Sequence, residues 1–113
     1  MSERKRGGRR HHKDLQLCRQ VFDALTYALA ELDDPQIEEL VLASVVPAPT
    51  AARMLVTLVP IREDFSPEAI DDVLACIADC AGDLREDVAA EITRQRVPEL
   101  VFRIARRAEL APA

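Results

Sequence analysis

The first apolar stripe of the chain repeats at steps of three and four residues, the spacing of one face of an amphipathic helix. Its members are Leu15, Cys18, Phe22, Leu25, Leu29 and Leu32, with Val21 alongside. The helix is predicted to begin near Asp14 and to end near Asp33, because Pro35 disfavours helical geometry at Asp34. Residues 1–13 have no apolar period and contain two glycines and a block of basic charge, so they predict a flexible basic arm.

Two short β-branched segments come next. Residues 40–46 and 53–59 are predicted as strands, and the sequence Pro47-Ala48-Pro49-Thr50 between them is typical of a loop. The two strands are therefore expected to pair as an antiparallel hairpin. Near the end of the chain, Leu100, Phe102 and Ile104 alternate with Val101 and Arg103. This period of two predicts a third strand at residues 100–104, before a short polar tail.

The segment between the second and third strands predicts two consecutive helices. Ser66 and Pro67 have the chemistry of a helix N-cap and first helical position. Gly82 interrupts the apolar stripe that follows, and Asp83 and Glu86 resemble a capping box that begins another helix. The order α-β-β-α-α-β predicts a two-layer α+β sandwich, with a three-stranded sheet and helices on one face.

Charge is distributed unevenly along the 113 residues, whose net charge is −5. Residues 1–13 carry a balance of +5, residues 14–92 one of −13, and residues 93–113 one of +3. All the basic residues except Lys5 and Lys13 are arginines, whose guanidinium groups bind phosphate in a bidentate fork. Basic ends on an acidic body indicate contacts with a polyanion, although a solvated arginine-rich surface explains the same charges.

The sequence contains little of the chemistry that an enzyme needs. His11 and His12, the only histidines, lie in the predicted arm, and the three glycines cannot form a phosphate-binding loop or a dinucleotide fingerprint. Cys18, Cys76 and Cys80 have the wrong spacing for a zinc site and are expected to be buried and reduced. We therefore predict a protein that is not an enzyme and has no metal, cofactor or small-molecule substrate. No apolar run reaches the length of a membrane span, and no secretory signal follows the basic start.

The predicted element order resembles a type II KH domain, and more narrowly the ribosome-binding factor A family. Four segments carry the likeness, over about residues 9–104: Arg9-Arg10-His11-His12-Lys13, Asp34-Pro35, Cys80-Ala81-Gly82, and Arg94-Gln95-Arg96-Val97-Pro98-Glu99-Leu100-Val101-Phe102. The third segment corresponds to the Ala-x-Gly kink between the paired helices of that family, with Cys80 in the place of alanine. The fourth matches its arginine-rich run into Val-Pro-Glu-Leu-x-Phe and is the most specific.

The resemblance implies a bacterial, cytoplasmic and non-catalytic ribosome maturation factor. Such a protein would bind the free small (30S) ribosomal subunit and its 16S rRNA during late processing. It would consist of the arm, a KH-like domain at residues 14–105 and a short tail at residues 106–113, and we expect it to be a monomer. A classical KH domain clamps nucleotides on a Gly-x-x-Gly loop, which Gly82, the only glycine beyond residue 8, cannot form.

The hypothesis for the RNA-binding site is built on arginines and one lysine from both ends of the chain. The candidates from the ends are Arg9, Arg10, Lys13, Arg94, Arg96 and Arg103, which are expected to converge on one side of the folded body. Arg85, just after the predicted kink, is a further candidate. For Arg94 and Arg96 the alternative is a structural role at a helix C-terminus. The alternative for the whole protein is an adaptor that docks a basic protein through its acidic helices or its sheet, without binding RNA.

Overall fold

The computed structural model describes residues 2–48, 52–62, 64–92 and 97–106, with side chains from residue 15 onward. Its elements in chain order are α1 (Ser2–Glu31), α2 (Pro35–Glu38), β1 (Leu40–Pro47), β2 (Arg53–Pro60), α3 (Pro67–Glu91) and β3 (Glu99–Ile104). Three strands form one sheet and the helices pack against it, so the predicted α+β fold class is confirmed.

Helix α1 begins earlier than its apolar stripe does. The stripe starts at Leu15, whereas the helical backbone starts at Ser2 and passes through Gly7 and Gly8. The basic side chains of this segment are good helix formers, and lengthening a helix costs less than nucleating one. The predicted helix start at Asp14 is therefore wrong. The flexibility of the arm and the domain limits at 14–105 stay predictions, and residues 107–113 of the predicted tail lie outside the described residues.

The chain leaves α1 through two aspartates, and a short helix absent from the prediction follows. Asp33 has a φ of 51°, in the left-handed region that often ends a helix. Asp34 is the N-cap of α2, and its Oδ1 accepts the backbone N–H of Gln36 at 2.9 Å. Pro35 occupies the first turn of α2, where the missing N–H costs nothing. The proline that ends one helix thus begins the next.

The sheet has the strand order β1-β2-β3. Strands β1 and β2 are antiparallel, which confirms the predicted hairpin, and a β-bulge shifts their register between Leu42 and Ser44. Strands β2 and β3 are parallel, so α3 is the crossover that connects them. Both strands of the hairpin extend one residue beyond the prediction, to Pro47 and Pro60.

Helix α3 is one uninterrupted helix of 25 residues. Ser66 caps it as predicted, with its Oγ accepting the N–H of Ala69 at 3.1 Å. The second helix start predicted after Gly82 is wrong, and the kink predicted at Cys80, Ala81 and Gly82 is not confirmed. The buried residues Val73, Ile77, Leu84 and Val88 keep the same helical phase on both sides of Gly82, so packing holds the helix together through the glycine.

The core lies between the sheet and the helices. Met54, Val56 and Leu58 of β2 point into it and are almost completely buried, and α1 and α3 cover them. The shortest dimension of the molecule is 17 Å, which accommodates one sheet and one layer of helices. The alternate residues of each strand point away from the helices, and we call that side the outer face of the sheet. None of the described helices is long and apolar enough to cross a membrane.

Candidate nucleic-acid interface

Side chains are described for two of the seven candidate RNA-binding residues, Arg85 and Arg103. Arg9, Arg10 and Lys13 belong to the helical backbone of α1, without described side chains. Arg94 and Arg96, in the most specific of the four segments, lie outside the described residues. The RNA-binding role of all seven stays a prediction.

Arg103 lies on the outer face of the sheet, held in place by a neighbouring strand. It pairs with Thr57 across the parallel strands β2 and β3, and its Nε donates to the Oγ1 of Thr57 at 2.8 Å. Thr57 is the one buried polar residue of the described chain, at 1% exposure, while Arg103 itself is exposed. The hydrogen bond uses one of the five guanidinium donors, so the fork keeps donors for a second partner.

The neighbours of Arg103 on the outer face are mostly aliphatic. On the same face of β1, which lies two strands away, Val41 and Val46 are 50% and 43% exposed. Half-buried Leu55 and Val101 pair between the same two strands as Thr57 and Arg103. A guanidinium group on an apolar surface is less shielded by competing water than one on a polar surface, which strengthens its attraction for an anion.

Arg85 makes a contact of a different kind. It is exposed on α3, and its Nη2 donates to the backbone carbonyl of Val97 at 3.0 Å. This bond connects the second half of α3 to the segment that leads into β3. Its three neighbours Asp83, Glu86 and Asp87 are all exposed carboxylates. In the structure, Arg85 therefore contacts the segment before β3, among exposed carboxylates.

The two candidate arginines with described side chains, Arg85 and Arg103, lie on different sides of the sheet. Arg103 is on the outer face, whereas Arg85 is on the helix that covers the inner face. Arg103 points to the outer face because residue 103 lies between the core residues Phe102 and Ile104, which point to the inner face. The expected convergence concerns residues from the two ends of the chain and stays a prediction.

Helix α3 presents a strongly acidic surface to solvent. Eight of its carboxylates are exposed: Glu68, Asp71, Asp72, Asp79, Asp83, Glu86, Asp87 and Glu91. Arg85 is the only basic residue of the helix. A phosphate backbone that approaches this surface would be repelled by its negative charge. The helix side of the molecule is therefore less favourable for RNA than the outer face of the sheet.

A carboxylate–thiol contact joins α2 to α3, and the sequence patterns did not predict it. The Sγ of Cys76 donates to the Oδ2 of Asp34 at 3.2 Å. This hydrogen bond, followed by burial and the negative charge of Asp34, raises the pKa of Cys76 to about 11. The same bond is the first cause of the lowered pKa of Asp34, and the N–H of Gln36 adds to it. The four-residue spacing of Cys76 and Cys80 places both thiols on one helix face but does not reveal this partner.

The cysteines form no disulfide. Cys18 is buried as expected, whereas Cys76 and Cys80 are only half-buried. The Sγ of Cys80 donates to the carbonyl of Cys76 at 3.0 Å, and burial is the main cause of its raised pKa. Within the described ranges, no group of three or more His, Cys, Asp or Glu side chains is arranged to hold a metal ion.

A groove of about 290 Å³ lies between the end of α1, α2 and the hairpin. Most of its lining is aliphatic, with Ile37, Leu40, Leu42 and Leu58 on its walls. The hydroxyl of Thr26, which also lines it, donates to the carbonyl of Phe22 at 2.9 Å, the usual back-bond of a helical threonine. The groove therefore offers apolar contacts rather than an activated nucleophile.

No family model matches the chain, and no curated protein is similar to it in sequence. The solved structures that are similar in fold include two ribosome-binding factor A structures. The solution NMR structure of a candidate ribosome binding factor A from Thermotoga maritima superposes with a TM-score of 0.66 and 19% identity, over 79% of this chain and 83% of that one. The crystal structure of ribosome-binding factor A from Thermus thermophilus superposes with a TM-score of 0.65 and 21% identity, over 80% of this chain and 94% of that one. This chain therefore has the fold of ribosome-binding factor A proteins, as the resemblance of its sequence motifs predicts.

Proposed function

We propose that this protein is a non-catalytic ribosome maturation factor of the bacterial cytoplasm. In this proposal it binds the free small ribosomal subunit and 16S rRNA during late processing, and it needs no cofactor or small-molecule substrate. Three observations support the proposal: the fold, which is that of two proteins named for ribosome binding; the motif that ends in Phe102; and the concentration of positive charge at both ends of the chain.

The observation that carries most weight is the exposed guanidinium of Arg103. An arginine whose Nε is already bonded to Thr57 is held in one orientation, so binding a phosphate would cost less conformational entropy. Phosphate contacts of this kind supply most of the affinity of sequence-independent RNA binding. In our proposal the outer face of the sheet therefore lies against the RNA.

The acidic surface of α3 supports the same orientation. Eight exposed carboxylates on the helix side of the molecule would repel RNA, whereas the charged residues of the strands, Arg53, Glu99 and Arg103, lie on the outer face and together carry a net charge of +1. The docked protein would keep α3 turned away from the phosphates. Arg85 is on the disfavoured side, so we assign it a smaller part in binding than Arg103.

Co-sedimentation with purified small subunits tests the proposal. We expect binding at low salt and release as salt is added, because neutralised phosphates release counterions and log K therefore falls as log salt rises. Arg103→Ala should weaken binding about tenfold and lower the slope by about one. Arg62→Ala is the control, since Arg62 is also exposed but already pairs with Glu39 at 3.2 Å. Absence of binding at any salt concentration would refute the proposal.

The second candidate function is an adaptor for a basic protein, and the exposed carboxylates of α3 favour it. This function requires no contact with the ribosome. It predicts no co-sedimentation with small subunits, and no effect of Arg103→Ala on partner binding. Charge reversal at Asp79 and Asp83, both exposed on α3, would abolish adaptor binding but leave subunit binding unchanged or stronger.

A further inference from the structure

The two edges of the sheet are protected to different degrees. Strand β1 forms one edge, and it carries a β-bulge at residues 42–44 and a proline at its end, both of which hinder pairing with another strand. Strand β3 forms the other edge over six residues, Glu99–Ile104, with neither a proline nor a bulge. No described strand pairs with the outer edge of β3.

The backbone groups of this edge are available in a regular pattern. Glu99 donates its N–H to the carbonyl of Ala52 at 3.0 Å, and Ala105 donates to Leu58 at 2.9 Å. In a strand, alternate residues direct both backbone groups to the same side. The odd-numbered residues of β3 therefore bond to β2, while Leu100, Phe102 and Ile104 direct N–H and C=O groups toward the edge where no described strand pairs with β3.

The side chains along the edge are incompletely covered. Leu100, Phe102 and Ile104 pack against the core but remain half-buried. Their counterparts on the central strand, Met54, Val56 and Leu58, are at most 1% exposed. A strand added beside β3 would bury apolar area as well as satisfy its backbone groups.

The opposite charges of Glu99 and Arg103 favour a second copy of β3 as the added strand, and they favour one register of the pairing. Glu99 and Arg103 flank Val101, and all three side chains point to the outer face. An antiparallel copy of β3 could pair with the outward groups in three central registers, those with Leu100, Val101 or Phe102 on the two-fold axis. Only the axis at Val101 places Glu99 of each copy opposite Arg103 of the other.

We propose that two copies of this chain pair through β3, antiparallel about a two-fold axis at Val101, to form one six-stranded sheet. In this pairing Leu100 of one copy exchanges hydrogen bonds with Phe102 of the other, and symmetry repeats the exchange. The interface contains two opposite-charge pairs of Glu99 with Arg103. The sequence alone predicts a monomer, since nothing in it distinguishes this edge from a covered one. The proposal does not depend on ribosome binding.

Sedimentation equilibrium of the purified protein over a wide concentration range, without RNA, tests the pairing. We expect a reversible monomer–dimer equilibrium. Glu99→Arg should weaken it at least about tenfold, because both opposite-charge pairs become like-charge pairs. The double variant Glu99→Arg with Arg103→Glu reverses both charges and should restore wild-type association. Glu31→Arg makes the same charge change on exposed surface at the end of α1 and should have no effect.

Amide hydrogen exchange of the same samples locates the contact. The amides of Leu100 and Phe102 should exchange at least about tenfold more slowly at high concentration than at low concentration. The amide of Val101, which faces β2, should be protected at both. A wild-type protein that stays monomeric at all concentrations would overturn the proposal. A dimer that survives Glu99→Arg, or that leaves the amide of Phe102 unprotected, would overturn it as well.

Discussion

The two faces of the sheet carry different kinds of side chain, for different physical reasons. The inner face of β2 presents Met54, Val56 and Leu58, which the helices bury almost completely. The outer face presents a buried threonine that accepts a hydrogen bond from an exposed arginine, between exposed valines. Burial of apolar area explains the inner face in full. On the outer face, one donor of the Arg103 guanidinium satisfies the buried Thr57, and its other donors are available for a partner, so that face is where we expect function.

The largest expected effect is a loss of stability on truncating a side chain in the core, on the inner side of the sheet. Leu84 of α3 is completely buried in the core, so Leu84→Ala should lower the free energy of unfolding by about 2–5 kcal/mol. Chemical denaturation measures this change. Binding to small subunits should be unaffected at temperatures where the variant is folded. A variant that is stable but fails to bind would show that the inner side takes part in docking.

The next prediction concerns the outer face, where a substitution should weaken subunit binding with little change in the free energy of unfolding. Thr57→Val keeps the shape of the side chain but removes the oxygen that holds the Nε of Arg103. Arg103 becomes more mobile, so subunit binding should weaken about threefold, while the free energy of unfolding changes by less than about 1.5 kcal/mol. Co-sedimentation and thermal unfolding measure the two quantities. Unchanged binding would mean that the fixed orientation of Arg103 has no function.

A smaller effect concerns the solvent-exposed side of α3. Gly82 is exposed within the helix, lacks a positive φ, and has no atom within 4 Å of where a Cβ would stand. Gly82→Ala should therefore stabilise the protein by about 0.5–1 kcal/mol, because alanine loses less backbone entropy in a helix. Destabilisation in a thermal melt would instead indicate a bend at this position that only glycine permits.

The smallest expected effect is a pH dependence at the junction of α2 and α3. The pKa of Cys76 is raised from 9.0 to about 11, so the folded state keeps this proton while the unfolded state loses it. The stability that this group contributes is complete below pH 9 and is lost as the pH rises toward 11. Cys76→Ala should make the loss of stability over that interval smaller, as measured by denaturation at several pH values.

Acid should weaken the contact between Asp34 and Cys76 by protonating the carboxylate of Asp34. The pKa of Asp34 is lowered below 3.8, so its contribution is present above that pH and is lost as the pH falls below it. Asp34→Asn keeps an N-cap for α2 but removes the charge. The pKa of Cys76 should then fall, and its alkylation should be faster at neutral pH. An unchanged alkylation rate would contradict the observed hydrogen bond.

The sequence predicts elements whose signals are local and misses those that depend on packing. The hairpin comes from β-branched runs, the Ser66 cap from capping chemistry and the third strand from alternating residues, all of which act within a few residues. The break at Gly82 is wrong because the buried stripe from Val73 to Val88 outweighs one glycine. Asp34 and Cys76 are 42 residues apart, and only the fold brings them together. The partnership of Thr57 with Arg103 likewise depends on the parallel register of β2 and β3.

The central claim is that the outer face of the sheet, not the acidic helix, lies against RNA of the small subunit. A photo-crosslinking amino acid introduced at Val46 on the outer face and at Asp79 on α3 tests it, because both positions are exposed and neither side chain belongs to the core. We predict crosslinks to 16S rRNA from position 46 and none from position 79. Crosslinks from position 79 alone would contradict the account.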